Sequence, residues 1–408
     1  MTAPLGPART WPDFRGPSGD GHAVARGLPR TWAPDRNILW RTPIHDSGWS
    51  SPIVAGDTVW LTTATEPGTT QWVLCLDVRT GAVLLDDRVF ENERPERIGA
   101  QGNTYASPSS VTDGRYVVSH FGTYGTVCHD VRTRRRLWTR RDLNCAHYQG
   151  PGSSPVLWRD KVVLTFDGTD VQFLAALDIR TGKTVWRTDR GTDWNADPYG
   201  ARQDPDQRKA FSTPTPITRD GRPELVTAAA RCFVGYDPAN GRETWRIPHA
   251  GFSNATRPVA GNGMLFLDTG FNRPEMWGVR LAKGRPPGTE DIVWRVARGV
   301  PTMGSPVLHD GLLFFAADSD FVSCLDAATG QEAWRERIGG RHYASPVLAD
   351  GALHLISDSG RTLMIEPGRT FRVVGEGKLD EGSRASPAIW DNTLLIRTYD
   401  ALYRIGAK

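Results

Sequence analysis

The apolar residues of this chain fall in short runs, each broken by a polar turn and then resumed. A residue–Pro step opens every pair of runs: Ser51-Pro52, Ser107-Pro108, Ser154-Pro155, Thr215-Pro216, Arg257-Pro258, Ser305-Pro306, Ser345-Pro346 and Ser386-Pro387. Successive prolines of this set lie 40 to 61 residues apart. Turns such as Ala55-Gly56-Asp57, Asp113-Gly114, Asp310-Gly311 and Asp350-Gly351 separate the first run of a pair from the second. Pro at the first position of a strand forfeits no ladder hydrogen bond, so each step marks where a strand begins.

A second motif, D-x-x-T/N-G-x-x-x-W, recurs between the prolines. It stands as Asp178 to Trp186 (DIRTGKTVW), Asp237 to Trp245 (DPANGRETW) and Asp326 to Trp334 (DAATGQEAW). Asp130 to Trp138 has Arg134 in the Gly place, and Asp77 to Leu85 has Leu in the Trp place. Each copy reads as strand, tight turn, strand: Asp caps the turn, Gly supplies positive φ, and Trp packs on the next unit. Trp138, Trp186, Trp245 and Trp334 are therefore expected between units.

Eight such units of four short strands predict an all-β fold, a single closed eight-bladed β-propeller of four-stranded antiparallel blades. The last unit, from Pro387, supplies three strands, and a spare strand at 37–41 precedes the first. Trp40 then completes the eighth blade, and closure removes the open edges of a linear sheet. Residues 1–408 read as one propeller domain, with 1–36 an extension packed on it and 37–408 the eight blades. Two separate β-domains are the alternative.

Composition narrows the classes. Gly 43 and Pro 29 in 408 residues exclude an all-helical fold. A net charge of +3 gives no electrostatic case for a nucleic-acid or membrane-surface partner. The basic run from Arg132 to Arg141 reads as a solvated turn and outer strand. No stretch is apolar enough to span a bilayer, and no secretory signal is seen. Five cysteines (75, 128, 145, 232, 324) stand apart without a CxxC, which predicts free thiols and a reducing, cytoplasmic setting.

In such a ring the residues before each Pro converge on one mouth of the axis. The candidates are His45, Asp46 and Trp49; Asn103 and Tyr105; His147, Tyr148 and Gln149; Lys209 and Phe211; Asn254 and Arg257; Met303; Arg341, His342 and Tyr343; and Arg384. From these, His45, Tyr105, Tyr148, Arg257, Arg341 and Arg384 are expected to bind substrate. The arginines would take an anionic group and the tyrosines would stack. His147 and His342 are the expected acid–base residues, since an imidazole titrates near ~6.5. Long loops at 91–101, 188–209 and 271–291 flank the same face. Cys145 beside His147 could form a thiolate pair. Asp318-Ser-Asp320 and Asp167-Gly-Thr-Asp170 are read as turns rather than Ca²⁺ loops.

The A/C-x-D-x-x-T-G-x-x-x-W repeat, with WPDFRGPSGDG, NTYASPSS, FGTYGT, GPGSSPV, FSTPTPI and ASPVLADG, resembles the PQQ-binding-like repeats of quinoprotein-like eight-bladed propellers. The resemblance runs from about Trp11 to Ile405. It implies the propeller fold and a family that mixes redox enzymes with cofactor-free scaffolds. In the alcohol dehydrogenases of that family PQQ lies at the axial top with Ca²⁺, often beside a vicinal disulfide. This chain has no adjacent cysteines, no matching calcium set and no haem motif, so no cofactor, neither PQQ nor calcium, is expected.

Three functions compete on this reading. The leading one is a cofactor-independent enzyme (a cyclase, isomerase or lyase of small-molecule biosynthesis) that binds a polar or anionic molecule in the axial funnel. The others are a non-catalytic binding or protein-interaction scaffold and a PQQ-dependent oxidoreductase.

Overall fold

The computed structural model describes residues 9–98 and 103–407. The first eight residues of the extension, residues 99–101 of the first long loop, and Lys408 lie outside them. Eight sheets follow one another along the chain. Blade 1 comprises Ile53–Ala55, Thr58–Ala64, Thr70–Asp77 and Val83–Glu91, from the axis outwards. Blade 2 spans Val111–Thr112 to Arg136–Arg140, blade 3 Val156–Trp158 to Thr184–Asp189, and blade 4 Thr215–Arg219 to Glu243–Pro248. Blade 5 spans Val259–Gly261 to Ile292–Val296, blade 6 Val307–His309 to Glu332–Arg337, and blade 7 Val347–Ala349 to Val373–Lys378. Blade 8 is Ala388–Trp390, Thr393–Arg397 and Ala401–Ile405, completed by Ile38–Pro43. That outer strand pairs antiparallel with Ala401–Ile405, as the spare-strand argument requires.

The blades pack through faces that are apolar on both sides. In Lys161–Asp167, Val162, Leu164 and Phe166 meet blade 2, while Val163 meets blade 4. This two-sided burial explains why inner strands read as continuous apolar runs rather than as alternation. Six core clusters each join two neighbouring blades, and a seventh joins blades 7, 8 and 1 with the N-terminal segment.

The tryptophans dock blade on blade. The indole N–H of Trp40 donates to Val78 O, Trp138 to Ile179 O, Trp186 to Pro238 O and Trp294 to Ala327 O, at 2.8 to 3.1 Å. Each acceptor follows the turn Asp of the next blade. Each ring lies over the turn glycine: a Cβ on Gly182 would sit 2.7 Å from Trp138, and one on Gly330 would sit 2.6 Å from Trp294. Trp334 also donates across to the next blade, to Gly368 O at 2.9 Å, but this acceptor follows no turn Asp and the ring does not lie over a turn glycine. Trp294 escaped the sequence motif because its turn is the longer 281–291 loop. Trp186, Trp245 and Trp334 are buried as expected, but Trp138 is only half-buried. Trp245 turns back to its own blade, donating to Glu224 Oε2 at 3.1 Å.

Two details differ from the sequence reading. Blade 7 has six strands, because His22–Ala23 pairs parallel with Val347–Ala349 and Thr31–Trp32 pairs parallel with Val373–Lys378. In blades 2 and 4 the residue–Pro step is displaced by two. The positions equivalent to Ser51 are Ser109, followed by Ser110 rather than Pro, and Thr213, followed by Pro214. The nearby Ser107-Pro108 and Thr215-Pro216 pairs mimic the step one period of the strand away.

Candidate functional site: a blind axial cavity

Where the crossover chain enters each inner strand, extended backbone places alternate side chains on the axis. This creates two tiers. The deeper tier is Ser51, Ser109, Ser154, Thr213, Arg257, Ser305, Ser345 and Ser386. Its hydroxyls form a belt of backbone-to-side-chain hydrogen bonds. Ser51 N–H donates to Ser109 Oγ, Ser109 to Ser154 and Ser154 to Thr213, at 2.8 to 2.9 Å. Arg257 N–H donates to Ser305 Oγ, Ser305 to Ser345, Ser345 to Ser386 and Ser386 back to Ser51, at 2.9 to 3.0 Å. The belt breaks only at Arg257, which offers no hydroxyl to Thr213.

The upper tier lies two residues earlier on each blade. Trp49, Phe211, Met303, Tyr343 and Arg384 are its large members; Ser107, Gly152 and Ala255 are its small ones. The Arg384 guanidinium is sandwiched between the Trp49 ring at 4.3 Å and the Tyr343 ring at 4.2 Å. Cation–π contact of this kind is worth ~0.5–2 kcal/mol per ring. The two tiers enclose a cavity of about 210 Å³. Tyr343 and Arg384 are the only ionisable side chains among its described lining residues.

The N-terminal segment closes the channel below. Trp11 bridges Val54 of blade 1, and Pro12 O accepts from Thr112 N–H of blade 2. Phe14 faces the cavity as its floor. Asp13 pairs with Arg257 at 3.0 Å. Arg15 is fully buried beneath the belt and donates to Pro306 O at 2.6 Å and Pro346 O at 2.8 Å. Burial, reinforced by Arg257, pulls its pKa down to about 10. The guanidinium therefore stays charged at neutral pH.

The structure gathers few of the eight expected site residues. Arg384 lines the cavity, and Arg257 lies at belt level with its side chain turned down to Asp13. Arg341 is exposed and reaches the wall only through Tyr343 Oη, 3.5 Å away. His45 sits outside the cavity, 2.7 Å from Asp46 and 3.2 Å from Asp86. Burial opposes its charge, but the two carboxylates prevail and raise its pKa. Tyr105 is buried between blades 1 and 2, donating to Glu96 O at 2.7 Å and edge-on to Tyr124. Tyr148 is exposed on the rim, where the Glu96 carboxylate accepts the N–H groups of His147 and Tyr148.

Both candidate acid–base histidines are buried away from the lining. His342 faces Ile356 O and Gly339 O, each at 3.1 Å, and burial lowers its pKa. His147 Nε2 accepts from Thr123 N–H at 3.1 Å, and burial brings its pKa down to about 4. Cys145 Sγ is 3.6 Å from both His147 nitrogens, but burial pushes the thiol well up. Burial thus favours the neutral form of both partners, which speaks against the thiolate reading. All five cysteines are buried and free.

The wider mouth set was closer. Trp49, Asn103, Gln149, Phe211, Met303 and Tyr343 all line the cavity. Sequence reasoning missed the hydroxyl belt, Phe14 and the small residues of the upper tier. Counting two residues back from each belt position would have found the upper tier.

The chain matches the family described as outer membrane protein assembly factor BamB over residues 30–188, 170–286 and 281–398. It belongs to that family of PQQ-like β-propeller repeat proteins. No curated protein matches the chain. Among solved structures, the quinohemoprotein alcohol dehydrogenase of Comamonas testosteroni superposes with a TM-score of 0.71 at 10% identity, covering 98% of this chain and 81% of that one. A europium-containing methanol dehydrogenase gives 0.59 at 12% identity, covering 96% and 90%. The computationally designed Ika8 protein gives 0.59 at 11%, covering 93% and 100%. At such identities these likenesses speak for the fold alone.

A metal-assisted quinone does not fit this donor set. The described lining contains no carboxylate, and no described group of His, Cys, Asp or Glu could hold a metal ion. Asp167 is committed to Arg190 at 2.5 Å, Asp320 to Arg337, and Asp318 to Thr302. The volume also falls below the ~300–1,000 Å³ of sites for drug-sized ligands. No helix among the described residues is long and apolar enough to cross a membrane.

Proposed function

We propose that this propeller is a small-molecule-binding protein whose ligand enters the axial cavity with a polar or anionic end and a flat apolar body. The observation that carries this is Arg384, held between Trp49 and Tyr343 over a blind, aromatic-walled cavity. Stacking fixes the guanidinium plane, and a fixed cation at the cavity favours a ligand that carries negative charge and a flat body. Phe14, Phe211 and Met303 supply apolar contact. The described lining residues include no His, Asp, Glu, Cys or Lys, which favours binding over the acid–base catalysis of a cyclase, isomerase or lyase. The five buried thiols support a reducing setting. A protein-interaction scaffold is the second reading. The family description and the exposed side chains of Tyr148, Tyr199 and Phe271 favour it.

The test is a thermal-shift panel of small aromatic carboxylates and their neutral counterparts, repeated on Trp49→Ala and Arg384→Ala. At least one compound should stabilise the wild-type chain and lose that effect in both variants. Stabilisation that survives both substitutions would move the site elsewhere. A panel with no stabilising compound would favour the scaffold.

A further inference from the structure

The belt beneath Arg384 has a polarity of its own. A hydroxyl carries one donor and two acceptor sites. In the seven hydroxyls of the belt, the oxygen already accepts a neighbouring blade's N–H. No described residue accepts the proton of any of them. All seven side chains line the cavity. The belt thus offers a ring of O–H donors to the cavity, whose described lining contains no carboxylate.

The charged groups nearest the belt are mainly arginines, with Asp13 and Asp20 close to them. Arg15 lies directly below, hydrogen-bonded only to carbonyl oxygens, two of them next in sequence to Ser305 and Ser345. Arg257 stands in the belt's gap; its charge is shared with Asp13, but its buried Nε has no partner. Arg384 lies above. Three guanidinium groups near the axis against the two carboxylates of Asp13 and Asp20 leave a positive potential there, which favours an anion. An acceptor-only group therefore matches the belt above the Phe14 floor, whereas a ligand that brings N–H donors leaves hydroxyl protons unpaired.

We infer that the hydroxyl belt is the seat for a compact oxyanion, a carboxylate or phosphate head held on the axis by serine and threonine O–H groups over Arg15, with the apolar body stacked above it. This deepens the binding reading of the same cavity and rests on it. It names the orientation of the ligand, head down to the belt, and the class of head.

The probes are benzoate, its near-isostere benzamide, and inorganic phosphate, titrated calorimetrically into the full chain. Benzamide replaces one acceptor oxygen with an N–H₂ donor while keeping size and ring. Benzoate should bind one to one and benzamide at least about tenfold more weakly, a difference of ~1.4 kcal/mol. Phosphate should compete with benzoate. Ser345→Ala combined with Ser386→Ala should weaken benzoate at least fivefold, and Ser345→Thr combined with Ser386→Thr, which keeps both hydroxyls, should weaken it less than the double Ala variant does. Circular dichroism checks that each variant is folded. If the double Ala variant unfolds, the benzoate-to-benzamide ratio and phosphate competition in the wild-type chain decide.

If benzamide binds as tightly as benzoate and both are lost in Arg384→Ala, the cavity is a binding site but the belt is not an anion seat. If benzoate binds without dependence on Trp49 or Arg384, the binding reading itself falls. Failure of both benzoate and phosphate to bind at millimolar concentration overturns the oxyanion assignment.

Discussion

At the scale of single residues, parity in the last three residues before the belt decides who meets the axis. Trp49, Met303, Tyr343 and Arg384 stand two residues before a belt position and face the lumen. His342 stands three before and turns into the wall. Tyr105 and His147 lie farther back, where Glu96 and Thr123 set the chain's direction. The wider mouth set was thus legible from the prolines alone, but the choice within it favoured residue types over register. His147 offers a direct check. In the fold its pKa is about 4, against an ordinary value of 6.5. Between those values the unfolded chain binds the extra proton. The stability this histidine contributes is therefore complete above pH 6.5 and lost as the pH falls towards 4. Near pH 5, His147→Gln should remove about one proton from the uptake on unfolding, flattening the stability-versus-pH slope by ~1.4 kcal/mol per pH unit. Urea unfolding across that range measures it. An unchanged slope would mean that the imidazole is not held neutral.

At the scale of elements, the docking of tryptophan on turn glycine was legible as a motif, and two of its exceptions form a matched pair. Blade 1 presents Leu85 where blades 2, 3, 4, 5, 6 and 8 present Trp, and the turn of blade 2 that receives it has Arg134, at φ 60°, where blades 1, 3, 4 and 6 have Gly. A turn glycine is needed elsewhere because any Cβ would enter the indole; beside a leucine the Cβ is tolerated. Leu85→Trp alone should lower stability by about 1–3 kcal/mol, the usual cost of overpacking. Adding Arg134→Gly should recover most of it, and a double-mutant cycle by denaturant unfolding reads the coupling. Trp186→Ala and Trp294→Ala should each cost about 3–5 kcal/mol, the range for large buried aromatics. Trp138→Ala should cost less, because that ring is half-exposed. Equal losses at all three would undo the ranking. The six-stranded blade 7 was not legible, since His22–Ala23 and Thr31–Trp32 are too short to carry a pattern.

At the scale of the whole molecule, the ring and its closing strand were legible, but the plug was not. Phe14, Asp13 and Arg15 act through partners on blades far along the chain, and no local spacing announces such contacts. Asp13→Ala should leave Arg257 charged and buried, costing about 3 kcal/mol, the low end for a broken buried pair because Asp13 is 18% exposed. Losing less than about 1 kcal/mol would show that Arg257 has another means of compensation. The N-terminal segment touches blades 1, 2, 5, 6, 7 and 8, so it works as a cord drawn through the ring rather than as a tail. One of its strands also sets the order of events during synthesis. Arg41 bonds Tyr403, 362 positions later. Until the ribosome has released that far partner, the strand around Trp40 has nothing to pair with, and the growing chain displays a bare sheet edge at each extremity. Those edges stay open through nearly the whole of translation, so chaperone demand should respond more to a stall before residue 401 than to the intrinsic stability of any blade, which ribosome-bound chains arrested on either side of that point would measure.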